Sequence, residues 1–152
     1  MPYKTKFTPK NSTKYIGNIN NIICRSLWER KFCKFLDENV NILRWSFETL
    51  KIPYLHPVDN QVHMYLPDFI VEKKNKQGVV ETLVIEIKPF KQTKQPTAGK
   101  RKSKKSIINE NITYAINTNK WKAAKEFCEK HSWKFVILTE KELFDGSNKQ
   151  GK

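Results

Sequence analysis

The chain is short of acid. Its 152 residues carry 15 aspartates and glutamates against 29 lysines and arginines, a formal charge of +14. Two stretches, residues 1–21 and 88–105, contain no acidic residue at all. So one-sided a balance points to a polyanionic partner: DNA, RNA or an acidic membrane surface. No apolar run approaches the ~20 residues that cross a bilayer. The basic N-terminus lacks the apolar segment of a secretory signal. Cysteine is scarce. Cys24, Cys33 and Cys128 are odd in number and have no paired spacing, which excludes a disulfide framework and implies a reducing compartment. Cys24 and Cys33 lie in apolar surroundings and read as small core residues. His56, His63 and His131 have no metal-ligand spacing with the cysteines, so no zinc site is expected. There is no internal repeat. What remains is one basic cytoplasmic domain, long enough to bury a core.

Hydrophobic spacing sets the elements. Residues 1–21 are polar and basic, with Lys4, Lys6, Lys10 and Lys14, and read as an extended arm. In Ser26–Asn39, Trp28, Phe32, Phe35 and Leu36 share one helical face. Leu43–Tyr54 reads as a strand ending at Pro53, and His56–Gln61 as a turn. "VHMYLPDFIVEK" and "ETLVIEIKP" are two further strands, joined through a turn at Gly78. Residues 88–105 hold eight basic residues, two prolines and a glycine, and form a loop. Ile107–Asn117 reads as a helix, and Trp121, Ala124, Phe127 and Cys128 mark a second one. "KFVILT" is a buried strand, and Thr139 with Glu142 makes a capping box for a last helical turn. The order predicts a mixed α/β domain, a sheet covered by helices.

One constellation carries chemistry. In an antiparallel pair, facing residues have numbers of constant sum. A turn centred near Gln77 therefore places Asp68 opposite Glu86. Facing side chains have Cβ atoms ~5 Å apart, so the two carboxylates repel. A hard divalent cation would hold them together. Lys88 follows Glu86 by two residues and shares its face, while Leu83, Ile85 and Ile87 form an apolar underside. Two carboxylates and a lysine suit metal-assisted hydrolysis. A solvated Glu-Lys pair beside a turn aspartate is the plainer account of the same residues. Glu29 sits at the third position of a capping box begun by Ser26, yet it borders the buried helix face and can serve as a third carboxylate. Lys91, Lys94, Lys100, Arg101, Lys102, Lys104 and Lys105, with Arg25 and Tyr114, are the candidate nucleic-acid contacts. Asn111 and Asn117 flank Tyr114 on its helix.

Glu29 on a first helix, Pro67-Asp68 on one strand and Glu86-Ile87-Lys88 on the next resemble the PD-(D/E)XK nuclease motif. The element order is similar to that superfamily's restriction-endonuclease-like α-β-β-β-α-β core. Further along the chain, "TPKNSTKYIGN", "RSLWERKFCKFLD", "KIPY", "YLPDF", "TYAINTNKWKAAK" and "KFVILTE" resemble the head-completion nucleases of T-even-like tailed phages. The resemblance implies a nuclease domain over 22–145, between the arm and a polar tail at 146–152. It implies a magnesium-dependent endonuclease, with manganese as a substitute, that acts on double-stranded DNA while the filled head is completed. Its partners would be head or portal proteins, and its place the host cytoplasm or the virion. No membrane or small-molecule substrate is expected. Asp68, Glu86 and Glu29 would be the metal ligands and Lys88 the catalytic lysine. The helix that brings a glutamine motif in that superfamily here offers Asn111 and Tyr114 and no glutamine. Two alternatives stand beside this reading: a TnsA-like transposon-end endonuclease, and a non-enzymatic DNA-binding plug protein of the head.

Overall fold

A computed structural model describes residues 4–97, 99 and 102–144. The chain begins with a short strand, β1 (Thr5–Lys6), antiparallel to β2 (Ile23–Cys24). Helix α1 (Leu27–Glu38) follows, capped by Ser26, whose hydroxyl accepts the Glu29 N–H at 3.1 Å. The central sheet contains β3 (Ile42–Phe47), β6 (Phe69–Lys74), β7 (Val80–Ile87) and β8 (Lys134–Leu138), in that order. Its first three strands are antiparallel, and β8 lies parallel to β7. The parallel crossover is made by one long helix, α2 (Lys104–Lys130). A separate hairpin, β4 (Ile52–Leu55) with β5 (Val62–Tyr65), is inserted between β3 and β6. The last element is α3 (Glu140–Phe144). Its capping box forms as expected: Lys141 N–H donates to Thr139 Oγ1, and Thr139 N–H to Glu142 Oε1. This is the expected mixed sheet with helices on both faces.

The sheet separates two cores. On one face Trp45, Phe47, Phe69, Val71, Ile85 and Ile87 meet Phe32, Cys33 and Leu36 of α1. Each fully buried aliphatic side chain here contributes roughly 1.5–3 kcal/mol. On the other face the hairpin residues Ile52, Tyr54 and Tyr65 pack with Ala124, Trp121 and Phe127 of α2. Among the described residues no helix is long and apolar enough to cross a membrane.

Four expectations need correction. The expected strand Leu43–Tyr54 is two, because Glu48 adopts a positive φ of 54° and redirects the chain out of the central sheet. The expected strand over "VHMYLPDFIVEK" is also two. Leu66-Pro67-Asp68 interrupts it, and proline has no N–H to donate to a ladder. The two expected helices after the basic loop are one. Asn117, Thr118 and Asn119 include no glycine or proline; Thr118 bonds back to the Tyr114 carbonyl at 2.7 Å and Asn119 reaches the Leu55 carbonyl at 2.9 Å.

The fourth correction concerns the N-terminal segment, which from Lys4 onward packs on the domain and is no extended arm. Phe7 and Tyr15 are buried against Trp45. Ile16 N–H donates to the Trp45 carbonyl at 2.9 Å, so the segment lies along the free edge of β3. Buried Asp37 accepts the N–H groups of Lys10 and Asn11, both at 2.9 Å. Lys14 Nζ donates to the carbonyls of Asp37 and Asn39 at the end of α1, where a cation is favoured. The polar tail at 146–152 lies outside the described residues.

Candidate active site

The expected register holds. Phe69 pairs with Ile85 and Ile70 with Val84, which sets Asp68 opposite Glu86 one step beyond the ladder. The reason is local: Gly78, with φ of 79°, closes a tight turn with Asn75, and a hydrogen bond from Gly78 N–H to the Asn75 carbonyl fixes it at 2.9 Å. Ile85 and Ile87 point into the α1 core, so the even-numbered positions face the hairpin and α2. Asp68 and Glu86 are only 8% and 7% exposed.

Each carboxylate is held from a different element. Asp68 Oδ2 accepts the Ile87 N–H at 2.7 Å. Glu86 Oε1 accepts the Tyr65 hydroxyl at 2.5 Å, and Lys88 Nζ lies 3.4 Å from Glu86 Oε2. Burial raises the pKa of Asp68 well above the usual carboxylate range, and the charges of Glu86 and Glu29 raise it further; the Ile87 N–H and Lys88 oppose them. Burial also raises Glu29, with the charges of Glu48 and Glu86 adding to it against Arg25. Three acids thus share one desolvated field of negative potential. That is an arrangement a cation relieves.

Glu29 has a structural duty as well. Its Oε1 accepts the Arg25 N–H at 2.8 Å, one residue before the N-cap that a capping box engages. Arg25 is held in turn by Glu48, Nη1 to Oε2 at 2.6 Å. Among the described residues Glu29 does not close on Asp68 and Glu86 to ligand-to-ligand distance. The group of three that does so is His56, Asp59 and His63, on the hairpin.

The structure adds residues that spacing alone did not reveal. Tyr65 arrives from the hairpin, and burial followed by the Glu86 charge raises its phenol pKa strongly. Lys120, on α2, lies over the Tyr54 and Tyr65 rings, 5.8 and 5.6 Å from their centroids. Burial lowers its pKa while Glu86 opposes that shift. Asn117, buried one turn earlier on α2, continues this face. Asn111 instead bonds its own helix at the Ile107 carbonyl and is exposed.

The basic loop and the first half of α2 enclose a groove of about 950 Å³ that runs toward Asn117. Lys91, Lys94, Lys102, Lys105 and Tyr114 line it. Lys104 is exposed at the start of α2 beside it, and Lys102 pairs with Glu110 at 2.8 Å. Lys100 and Arg101 lie outside the described residues. The loop is anchored at its start, where Phe90 N–H donates to Glu140 and Lys141 Nζ lies over the Phe90 ring at 3.5 Å.

The sequence profile of the TnsA-like endonuclease N-terminal domain matches residues 39–140, which includes Asp68, Glu86 and Lys88. The chain belongs to the TnsA-like endonuclease family. It is also 40% identical over 143 residues to the head completion nuclease of Enterobacteria phage T4, covering 92% of this chain and 93% of that protein. Nuclease action in head completion is the function that the family and this relative's name support. No solved structure gives a significant match.

Proposed function

We propose that the chain is a divalent-metal-dependent DNA endonuclease, with magnesium as the resident ion, that trims DNA during completion of the filled phage head. The single observation that carries this reading is the buried, facing pair Asp68 and Glu86 with Lys88 beside it. The donor set fits a hard cation: all-oxygen carboxylates whose charges Lys88 and the Ile87 N–H offset only in part. Asp68 and Glu86 would hold the ion, with Glu29 reaching it through a water or a small side-chain shift. When bound, the ion supplies Lewis-acid polarisation of a phosphate oxygen and a more acidic water.

The chain's own groups do the rest. Tyr65 fixes the Glu86 carboxylate so that its second oxygen faces Lys88. Lys88 donates to the attacking water or to the phosphate oxygen that gains charge, and so favours the transition state. Lys91, Lys94, Lys102, Lys104 and Lys105, with Lys100, Arg101, Arg25 and Tyr114, engage the duplex backbone. Such contacts position DNA without reading its sequence. The protein partner in this reading is a head or portal protein, met in the host cytoplasm.

The test is nicking of supercoiled plasmid by purified protein, with magnesium, with manganese and with chelator. Cleavage that needs the ion and vanishes in Asp68→Asn supports the reading. Tight DNA binding without cleavage under any of these ions would replace it by a non-enzymatic plug.

A further inference from the structure

We propose that His56, Asp59 and His63 form a second cation site, selective for a first-row transition ion such as zinc and independent of the nuclease carboxylates. The three lie on the β4–β5 hairpin and its turn. His56 N–H donates to the Gln61 carbonyl at 2.8 Å, and Asn60 N–H to the His56 carbonyl at 2.9 Å, so the turn is closed tightly. His63 pairs with Tyr54, and His56 follows Tyr54 by two residues, so both imidazoles stand on one side of the hairpin. Their ring centroids are 4.4 Å apart with planes 35° from parallel.

Asp59 returns over the two rings. Its Oδ2 lies 2.7 Å from His63 Nε2 and its Oδ1 3.8 Å from His56 Nδ1. The ligand atoms of all three residues lie within 4.8 Å of one another. Tetrahedral zinc with bonds near 2.0–2.1 Å needs ligand atoms about 3.4 Å apart, and these distances bracket that value. An ordinary histidine–aspartate ion pair accounts for His63 and Asp59. It does not account for the second imidazole set against the first, 3.8 Å from the same carboxylate. Two protonated rings at this separation would repel, whereas two neutral ones present two nitrogen ligands.

Two backbone N–H groups also reach these side chains. Gln61 N–H donates to Asp59 Oδ1 at 3.0 Å and orients the carboxylate from behind. Against metal binding, Val58 N–H donates to His56 Nδ1 at 3.2 Å, so an ion bound to that nitrogen displaces this hydrogen bond. Two imidazoles and one carboxylate suit zinc or cobalt over magnesium, which takes oxygen ligands in an octahedron. Three protein ligands leave the remaining position to water. Bound there, the ion would clip the turn of the hairpin that delivers Tyr65 to Glu86.

The experiment is a cobalt(II) titration followed by visible absorption, on the full chain and on Asp68→Asn, His63→Asn and His56→Asn. Circular dichroism of each metal-free variant confirms folding. Wild type and Asp68→Asn take up one equivalent with the strong bands of low-coordinate cobalt, displaced by zinc and not by excess magnesium. Removing even an outer partner of a metal ligand costs roughly 10–100-fold in affinity, so either histidine variant should bind at least about 100-fold more weakly. Plasmid nicking by the histidine variants with magnesium stays within about twofold of wild type. Bands that survive in both histidine variants and vanish in Asp68→Asn would overturn the proposal by placing the ion among the nuclease carboxylates. Absence of bands from wild type would overturn it too, leaving an ion-paired turn.

Discussion

Replacing Asp68 by asparagine should stabilise the metal-free protein while abolishing cleavage. The two facing carboxylates have Cβ atoms about 5 Å apart. Unit charges at that distance repel by about 3 kcal/mol at an effective dielectric near 20. Lys88, 3.4 Å from Glu86, offsets part of this. The Ile87 N–H bond survives, since an asparagine carbonyl oxygen accepts it equally. The net gain expected at pH 8 is therefore about 1–2 kcal/mol. Its pH dependence has a definite sign. The folded-state pKa of Asp68 is raised, so its contribution to stability is full below the unfolded value and is lost as pH rises through the raised one. The advantage of the variant should accordingly be small at pH 5 and grow toward pH 8. Urea denaturation in chelator, followed by tryptophan fluorescence, measures it. Added magnesium should stabilise wild type and leave the variant unmoved. A variant less stable than wild type at pH 8, or a gap equal at both pH values, would refute the reasoning.

Tyr65→Phe removes the hydroxyl that holds Glu86 and should cost about 1 kcal/mol of stability, with a larger fall in turnover than in DNA affinity; plasmid nicking and a melting curve check both. Lys88→Ala should lower turnover far more than magnesium affinity, and Lys88→Arg should not restore it, because a planar guanidinium cannot occupy the place of a compact ammonium; single-turnover cleavage at saturating metal reads this, and full activity in the arginine variant would leave only a charge role. Glu29→Gln keeps an acceptor for Arg25 N–H, so activity should fall with little change in melting; normal activity with a destabilisation near that of a missing cap, ~1 kcal/mol, would make Glu29 a capping residue alone. Changing Lys91, Lys94 and Lys105 together to glutamine should flatten the slope of log affinity against log salt by roughly 0.9 for each phosphate no longer neutralised, with the melting temperature unchanged; an unaltered slope would place the duplex elsewhere.

The facing of Asp68 and Glu86 is legible in the sequence because both determinants are local. Alternation in "TLVIEIKPF" sets the faces, and the turn at Gly78 sets the register. Glu29 is legible only as an ambiguity, and the structure keeps it double: it caps Arg25 and also lies in the field of Asp68. Lys120 is hidden because it sits where the sequence reads a break between two helices and α2 runs on unbroken, and Tyr65 because its approach to Glu86 depends on the hairpin leaving the central sheet. That departure turns on one positive φ at Glu48 and one proline, and neither has a periodic signature. The N-terminal segment misleads for a similar reason. Its composition is that of a solvated arm, but Phe7 and Tyr15 are two anchors that a polar average conceals. The His56, Asp59 and His63 group has no histidine–cysteine spacing to betray it, since its third member is a carboxylate.

Glu48 N–H donates to the Asp68 carbonyl at 2.9 Å, so the chain leaves the central sheet and re-enters it at points one hydrogen bond apart. Residues 49–67 therefore form a closed excursion, a cassette whose two ends are already joined. A change in the length of its turn, residues 56–61, should leave the pairing of Phe69 with Ile85, and with it the placement of Asp68, undisturbed. What the cassette governs is Tyr65, the group it brings to the Glu86 carboxylate. The fold thus assigns the carboxylate pair to the geometry of the sheet and its fine adjustment to the inserted hairpin. Chemistry and tuning sit on different pieces of chain.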